Sequence, residues 1–330
     1  MRVGMNPQKE EKKLKLTIIH RIIVVVYIPQ LSGFYKDSFE VFKLCINSLH
    51  SSINNKAAIT VVNNGSCKEV YTFLDDHYNS GKIDTVIHHK TNIGKIDAQI
   101  GAARGAREPL ITLTDSDILF KKGWQENVEN VFSSFENVGS VSPIPVKGLW
   151  TFTSSTLKNI ILRKYKFNHE CIPENFEDYN KFLQSINWDV ETDKNIKFPV
   201  ISTKVGAKAI VGSAHQVLTI DRNILFETTP IEPSLTLVGG NSEMLYVDEP
   251  IDRSGRLRLS TYNNYAYHMG NTIESWMFDV LNNNEQNIAV NTSTFNLQNI
   301  VYQRNLKHKS YSFRKRVIKI IFKKLYGNRN

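Results

Sequence analysis

Leu110-Ile111-Thr112-Leu113-Thr114-Asp115-Ser116-Asp117 decides how the rest of the chain is read: a short apolar and β-branched run passes directly into two carboxylates one residue apart. Such a run reads as a buried strand. If the strand gives way to a turn at its end, both carboxylates project into one crevice, where they can ligate a hard divalent cation through oxygen. Working outward, Ile22-Ile23-Val24-Val25-Val26-Tyr27-Ile28 is a second such run, stopped by Pro29, and Ile59-Thr60-Val61-Val62 is a third, closed by Asn63-Asn64-Gly65-Ser66. Between them Phe39, Phe42, Cys45, Ile46 and Leu49 recur at helical spacing, and so do Val70, Phe73, Leu74 and Tyr78. A weak strand at 85–88 precedes a helix from Gly94 to Ala106 rich in Ala and Gly. Strands alternating with helices at this spacing predict an α/β fold with a mostly parallel, Rossmann-like sheet flanked by helices, whose ligands bind at the carboxyl ends of the strands.

The sequence has 330 residues, enough for one large domain or two lobes sharing a core. We expect a flexible arm at 1–15, an α/β half at 16–145, a second half at 146–275, and a C-terminal extension at 276–330 with a basic amphipathic helix. The second half carries Trp150, Phe152, Tyr165, Phe167 and Trp188 among polar loops; either tryptophan could stack on a ligand or simply pack. Asn282-Asn283-Asn284 is polar enough to read as a loop.

Three cysteines without a C-x-x-C pair argue against a disulfide framework or a structural zinc site and fit a reducing compartment. The apolar stretch Leu16–Ile28 is interrupted by His20 and Arg21, too short for the roughly 20 residues of a bilayer crossing, and lacks a cleavage site, so neither a membrane span nor a signal peptide is expected. The net charge is +9, but ten Lys or Arg and no acid lie from Arg304 onward; subtracting them leaves −1 for the body. The basicity therefore belongs to a tail and does not make this a nucleic-acid-binding fold. In that tail Phe313, Val317, Ile320, Ile321 and Leu325 share most of one helical face, with Arg314, Lys315, Arg316, Lys319, Lys323 and Lys324 around them. Residues 310–330 thus read as a helix for an anionic membrane surface, with a docked helix or an RNA-binding arm as alternatives.

In order, Val24–Pro29, Val61–Ser66, Asn92-Ile93-Gly94 with its small-residue helix, and Leu113–Asp117 resemble the family 2 glycosyltransferases of GT-A fold, well over 20–120 and faintly over 205–270. The resemblance implies that the turns at Pro29 and at Asn63 and Asn64 hold a nucleoside, and that Asn92, Gly94, Lys95 and Asp97 line the donor pocket. It further implies that Asp115, Ser116 and Asp117 bracket ribose, diphosphate and metal. Asn63 stands where many relatives carry Asp; Lys95 either meets phosphate or is solvated. Gly212–Phe226 followed by Gly239-Gly240-Asn241-Ser242-Glu243, with Gly255 twelve residues beyond, is similar to the family's stretch ending in an acidic catalytic residue. Glu243 is the implied base, with Asp248 as competitor, since an inverting transfer needs a carboxylate to deprotonate the acceptor. His268 completes the metal site in several relatives, or is structural here.

The expected activity is inverting, metal-dependent transfer from a nucleotide-diphosphate sugar, a UDP-sugar favoured, with Mn2+ or Mg2+. The acceptor would be a glycan or a lipid-linked species in cell-surface polysaccharide synthesis, and the location cytoplasmic, peripheral at the inner face of the membrane, without nucleic acid. The alternatives are a non-catalytic sugar-nucleotide-binding or scaffold relative and a nucleotidyltransferase, although Gln30–Lys36 lacks the glycine-rich basic loop of the latter. A dehydrogenase is set aside because no G-x-G-x-x-G follows the first strand.

Overall fold

The computed structural model describes residues 4–6, 9, 14–286 and 311–327. At its centre is β1 (His20–Val26), all seven residues buried, which pairs in parallel with β2 (Ala57–Asn64) and β4 (Leu110–Asp115). The alternation of its side chains explains the continuous apolar run. Ile22, Val24 and Val26 pack with Phe42, Cys45, Ile46 and Leu49 of α1 (Ser38–Ser52), whereas Ile23 and Val25 pack with Ile96, Ala98, Ile100 and Ala103 of α3 (Lys95–Gly105). Each such aliphatic side chain contributes roughly 1.5–3 kcal/mol on burial, so a polar residue on either face would be costly without a partner. His20, which interrupts the apolar pattern, has partners: Glu129 Oε1 at 3.0 Å and Thr112 Oγ1 at 2.7 Å.

β3 (Thr85–His89) follows α2 (Lys68–Asn79) and pairs in parallel with β2. β5 (Ile118–Phe120), α4 (Trp124–Ser134), β6 (Val138–Ser142), α5 (Ser154–Ile161), β7 (Lys166–Cys171) and α6 (Phe176–Ser185) come next. They are followed by β8 (Lys197–Ser202), β9 (Lys208–Val211), β10 (Val217–Asp221), α7 (Ile224–Glu227), α8 (Glu249–Arg253), β11 (Leu257–Ser260) and β12 (Ala266–His268). Ten strands form one sheet in the order β3-β2-β1-β4-β10-β6-β11-β9-β8-β7. Only β10, β9 and β7 run against the rest, so the expected α/β class and mostly parallel sheet hold. The sheet crosses residue 145: β10, from the second half of the chain, is inserted between β4 and β6 of the first.

The register aligns the functional strand ends. Val26 lies opposite Asn63 and Val25 opposite Asp115, so the turns after β1, β2 and β4 open on one edge of the sheet.

α9 (Ser275–Gln286) takes in Asn282-Asn283-Asn284, which is helix and not loop. The reason is Asn284, buried and satisfied: Lys122 N donates to its Oδ1 (2.8 Å) and its Nδ2 donates to Phe120 O (2.8 Å). α10 (Tyr311–Tyr326) docks on the body through Phe322, 3% exposed, against Trp150 and Phe167. Trp150 therefore packs beneath the helix, whereas Trp188 is 63% exposed. Tyr311 Oη donates to Asp252 Oδ2 (2.7 Å) and Lys315 lies 3.9 Å from Glu249, pinning the start of α10 to α8. Of the expected apolar face, Phe313, Ile320, Ile321 and Leu325 are exposed and Val317 is half-buried. Among the described residues no helix is long and apolar enough to cross a membrane. Of the expected arm at 1–15, most residues fall outside those described, as do 287–310 and 328–330 of the expected C-terminal extension.

Candidate active site

Asp115 is the last residue of β4, and Ser116 turns the chain into β5. β12 pairs antiparallel with β5, His268 opposite Ile118, and Met269 N donates to Asp117 O (2.8 Å). That short ladder carries His268, remote in sequence, to Asp117: Nε2 lies 3.4 Å from Asp117 Oδ2, and Nδ1 is held by Ser185 Oγ at 2.9 Å. Asp117 Oδ1 is buried with no hydrogen-bond partner among the described residues. Burial, reinforced by Asp115 and opposed by His268 and Lys95, pushes the Asp117 carboxyl above its ordinary range.

Asp115 faces a different partner. Lys95, first residue of α3, places Nζ 2.7 Å from Asp115 Oδ1 and 3.7 Å from Glu243 Oε1. Burial works to lower the Lys95 ammonium, and the three carboxylates Asp115, Glu243 and Asp117 outweigh it, so its affinity for the proton is raised. Among the described residues no group of three or more His, Cys, Asp or Glu is preassembled around a cation. Asp117 and His268 fit one all the same: an orphaned buried oxygen beside an imidazole leaves coordination positions for phosphate oxygens and water, as Mg2+ and Mn2+ accept.

The segment that supplies Glu243 is fastened to the start of α3. Asp97 accepts Ser234 N (2.7 Å) and Leu235 N (2.9 Å), and Lys95 N donates to Leu237 O (2.9 Å). Gly94 has φ +97°, and a Cβ there would stand 2.4 Å from Thr236 O. Asp97 thus binds this wall of the crevice with both oxygens. Asn92 Oδ1 accepts Gly94 N (2.8 Å) and Asn64 Nδ2 (2.9 Å). Asn63, fully buried, accepts Ser66 N (3.0 Å) and bonds His88 (3.1 Å). These amides are committed to turn formation, so Asn63, Asn64 and Asn92 shape this side of the crevice through the backbone they hold. Pro29 is exposed beside them; Ile28 N donates to Ser66 Oγ (3.0 Å) and Cys67 N to Ile28 O (2.8 Å), joining the two turns.

Of the two candidate bases, Glu243 is 14% exposed and points at Lys95, with Ser242 Oγ donating to Oε2 (3.1 Å). Asp248 is otherwise engaged: Arg258 Nη2 binds its Oδ1 and His215 Nδ1 lies 3.4 Å from its Oδ2. Burial works to raise this carboxyl, and Arg258 with the His215 hydrogen bond outweighs it, leaving it below the usual carboxylate range. A carboxylate neutralised by a buried guanidinium is a poor proton acceptor, which favours Glu243 of the two. Sequence reasoning missed His215 and Arg258. His215 lies within the 212–226 stretch without standing out in it, Arg258 lies in no motif, and only the pairing of β10 with β4 and of β11 with β6 brings them to the crevice.

Residues 34–188 match the model of the family described as "Glycosyl transferase family 2". Over that segment, just under half of its length, the chain is similar to the family 2 glycosyltransferases. The matched segment holds Lys95, Asp115 and Asp117 and stops short of Glu243 and His268. Solved structures similar to the chain include the mannosyltransferase PcManGT from Pyrobaculum calidifontis in complex with GDP-Man and Mn2+, 13% identical over 74% of this chain and 55% of that one, with a TM-score of 0.41. TarS from S. aureus is 13% identical over 80% and 38%, TM-score 0.43, and GalNAc-T7 with UDP, GalNAc and Mn2+ is 13% identical over 76% and 44%, TM-score 0.45. This chain thus spans about half or less of the lengths of those proteins. No curated protein matches it in sequence.

Proposed function

We propose that this chain transfers a sugar, with inversion, from a nucleotide-diphosphate donor, UDP-sugars first among them, to a glycan or lipid-linked acceptor. The donor lies against residues 16–145 and the acceptor against 146–275. The observation that carries this reading is the convergence of Asp115, Asp117, Lys95, Glu243 and His268 at the carboxyl end of β4 from positions far apart in sequence. Glu243 takes the acceptor hydroxyl proton as the oxygen attacks the anomeric carbon, and Lys95 brings positive charge to the diphosphate side. Asp117 and His268 would hold Mn2+ or Mg2+, which supplies charge neutralisation to the leaving diphosphate. Isothermal titration with UDP-, GDP- and dTDP-sugars, each with Mn2+ and with chelator, tests the reading. Metal-dependent binding of one donor, lost in Asp117→Ala, is expected; silence across the panel from folded protein refutes it and favours a scaffold relative.

We further propose that α10 places the enzyme on the inner face of a membrane, in surface-polysaccharide synthesis. Phe313, Ile320, Ile321 and Leu325 are exposed on α10, with Arg316, Lys319 and Lys323 along one flank. Co-sedimentation with vesicles of phosphatidylglycerol and phosphatidylcholine should fall on replacing the four apolar residues by Ser, and unchanged sedimentation would sink this part.

A further inference from the structure

The His215–Asp248–Arg258 chain has no role in the reading above, and it is built as a functional imidazole is built. Arg258 is 2% exposed and anchored: Nε donates to Ser213 Oγ (3.3 Å), Nη2 to Ser213 O (3.1 Å) and Nη1 to Phe152 O (3.3 Å). Its remaining valence fixes Asp248, and Asp248 in turn faces His215 Nδ1. An acceptor at Nδ1 keeps a proton there and leaves Nε2 as the free ring position, which carries a hydrogen when the ring is the imidazolium. The His215 side chain is 42% exposed, so that position can be reached. Its place is the crevice mouth: Gln216 O, one residue on, accepts Asp115 N (2.9 Å), which seats the start of β10 beside the end of β4. Burial works to lower the imidazole, and the hydrogen bond and charge of Asp248 outweigh it, with Lys95 opposing and Asp115 adding to the rise. The ring is therefore biased towards the cation, inside the electrostatic field of the carboxylate cluster.

A positively biased N–H donor, braced from behind by a neutralised carboxylate and standing where a phosphorylated leaving group would depart, suits an anionic oxygen. We propose that His215 is a diphosphate-binding residue of this crevice, its Nε2–H donating to a phosphate oxygen of the nucleotide-diphosphate, with Asp248 and Arg258 as its positioning residues. The proposal rests on the nucleotide-sugar reading. In the transfer the acceptor oxygen bonds to the anomeric carbon as the bond from that carbon to the diphosphate oxygen breaks. The electron pair leaves with the diphosphate, the acceptor proton goes to Glu243, and His215 stabilises the departing charge without giving up its proton.

Titration of the full chain with UDP, GDP, uridine and guanosine in the presence of Mn2+ tests it. For the diphosphate that the wild type binds, His215→Ala should lose affinity about tenfold or more, the range for a hydrogen bond to a charged group. The matching nucleoside should bind as before. His215→Gln, which keeps an amide N–H near the Nε2 position, should recover part of the loss, and Asp248→Asn should show the same split between diphosphate and nucleoside. A purely structural histidine would weaken both ligands together, and that result overturns the proposal. Unchanged diphosphate affinity in His215→Ala also overturns it while leaving the nucleotide-sugar reading intact, whereas a wild type that binds neither diphosphate overturns both.

Discussion

Replacing Lys95 by Met keeps the length of the side chain and removes its charge from between three carboxylates. At 2.7 Å and 3.7 Å, unit charges attract by about 6 and about 4.5 kcal/mol at an effective dielectric constant near 20, before the cost of burying them. Lys95, Asp115 and Glu243 are 22%, 19% and 14% exposed, so solvent screens the cluster only in part. Removing one partner from a buried pair costs about 3–5 kcal/mol, because the charges left behind face one another unpaired. The variant should thus be about 3 kcal/mol less stable at pH 8 by urea denaturation. The ammonium's folded-state proton affinity is raised, so its contribution is complete below its ordinary value and is lost only as alkaline pH climbs through the raised one. Between pH 5 and 8 the wild-type lysine therefore stays charged, and any change in the difference between the two proteins comes from the carboxylates. Acidification to pH 5, or millimolar Mn2+ at pH 8, supplies the missing positive charge and should recover a good part of the loss. A penalty below about 1 kcal/mol, or one indifferent to both pH and Mn2+, would refute the claim that Lys95 is the counter-ion of this cluster.

Glu243→Gln should leave donor affinity within a few-fold of wild type while turnover falls by about 10²–10⁴, the usual contribution of a positioned base, as read from titration and steady-state assay together. Gly94→Ala forces a Cβ to within 2.4 Å of Thr236 O at φ +97°, so the segment at 234–237 must lift; hydrogen exchange should show lost protection at Ser234 N and Leu235 N. Arg21 pairs with Asp84 and with buried Glu108; burial works to raise both carboxyls, and Arg21 outweighs it and holds them below their ordinary values. A depressed folded-state pKa gives stability that is present above the unfolded value and lost as pH falls through the folded one. Wild-type stability should accordingly decline from about pH 4.5 downward, and Arg21→Met should flatten that decline in acid denaturation; an unaltered slope would place the acid sensitivity elsewhere.

The elements that carry the crevice were legible because their signals are local. β1 and β4 announce themselves as runs whose alternate residues face two different helices, and Asp115 and Asp117 sit at the end of one of them. Glycine before Lys95 marks the start of α3 in the sequence as it does in the structure. What escaped depends on strand order. Nothing within residues 212–226 says that β10 runs backwards between β4 and β6, yet that insertion puts His215 beside the cluster. The position of Asp97 in the motif was visible in sequence, whereas its partners, Ser234 N and Leu235 N, were not. Asn63, Asn64 and Asn284 show the converse: an asparagine's polarity is plain from sequence, but whether its amide serves a ligand, a turn or a distant backbone is settled by which groups the fold leaves unsatisfied.

The contact between Gly94-Lys95-Asp97 and residues 234–237 has a bearing on how such a protein could be recombined. The matched segment ends at 188, which would look like a natural seam for joining the front of this chain to the back of another. A fusion cut there would part Asp97 from the amides it holds, set a foreign loop against Gly94, and leave Lys95 and Asp115 without Glu243. Swapping acceptor preference between relatives should succeed only where 94–97 and 234–243 travel as a pair from one parent, so that the inheritable unit is a contact surface and not a continuous length of chain.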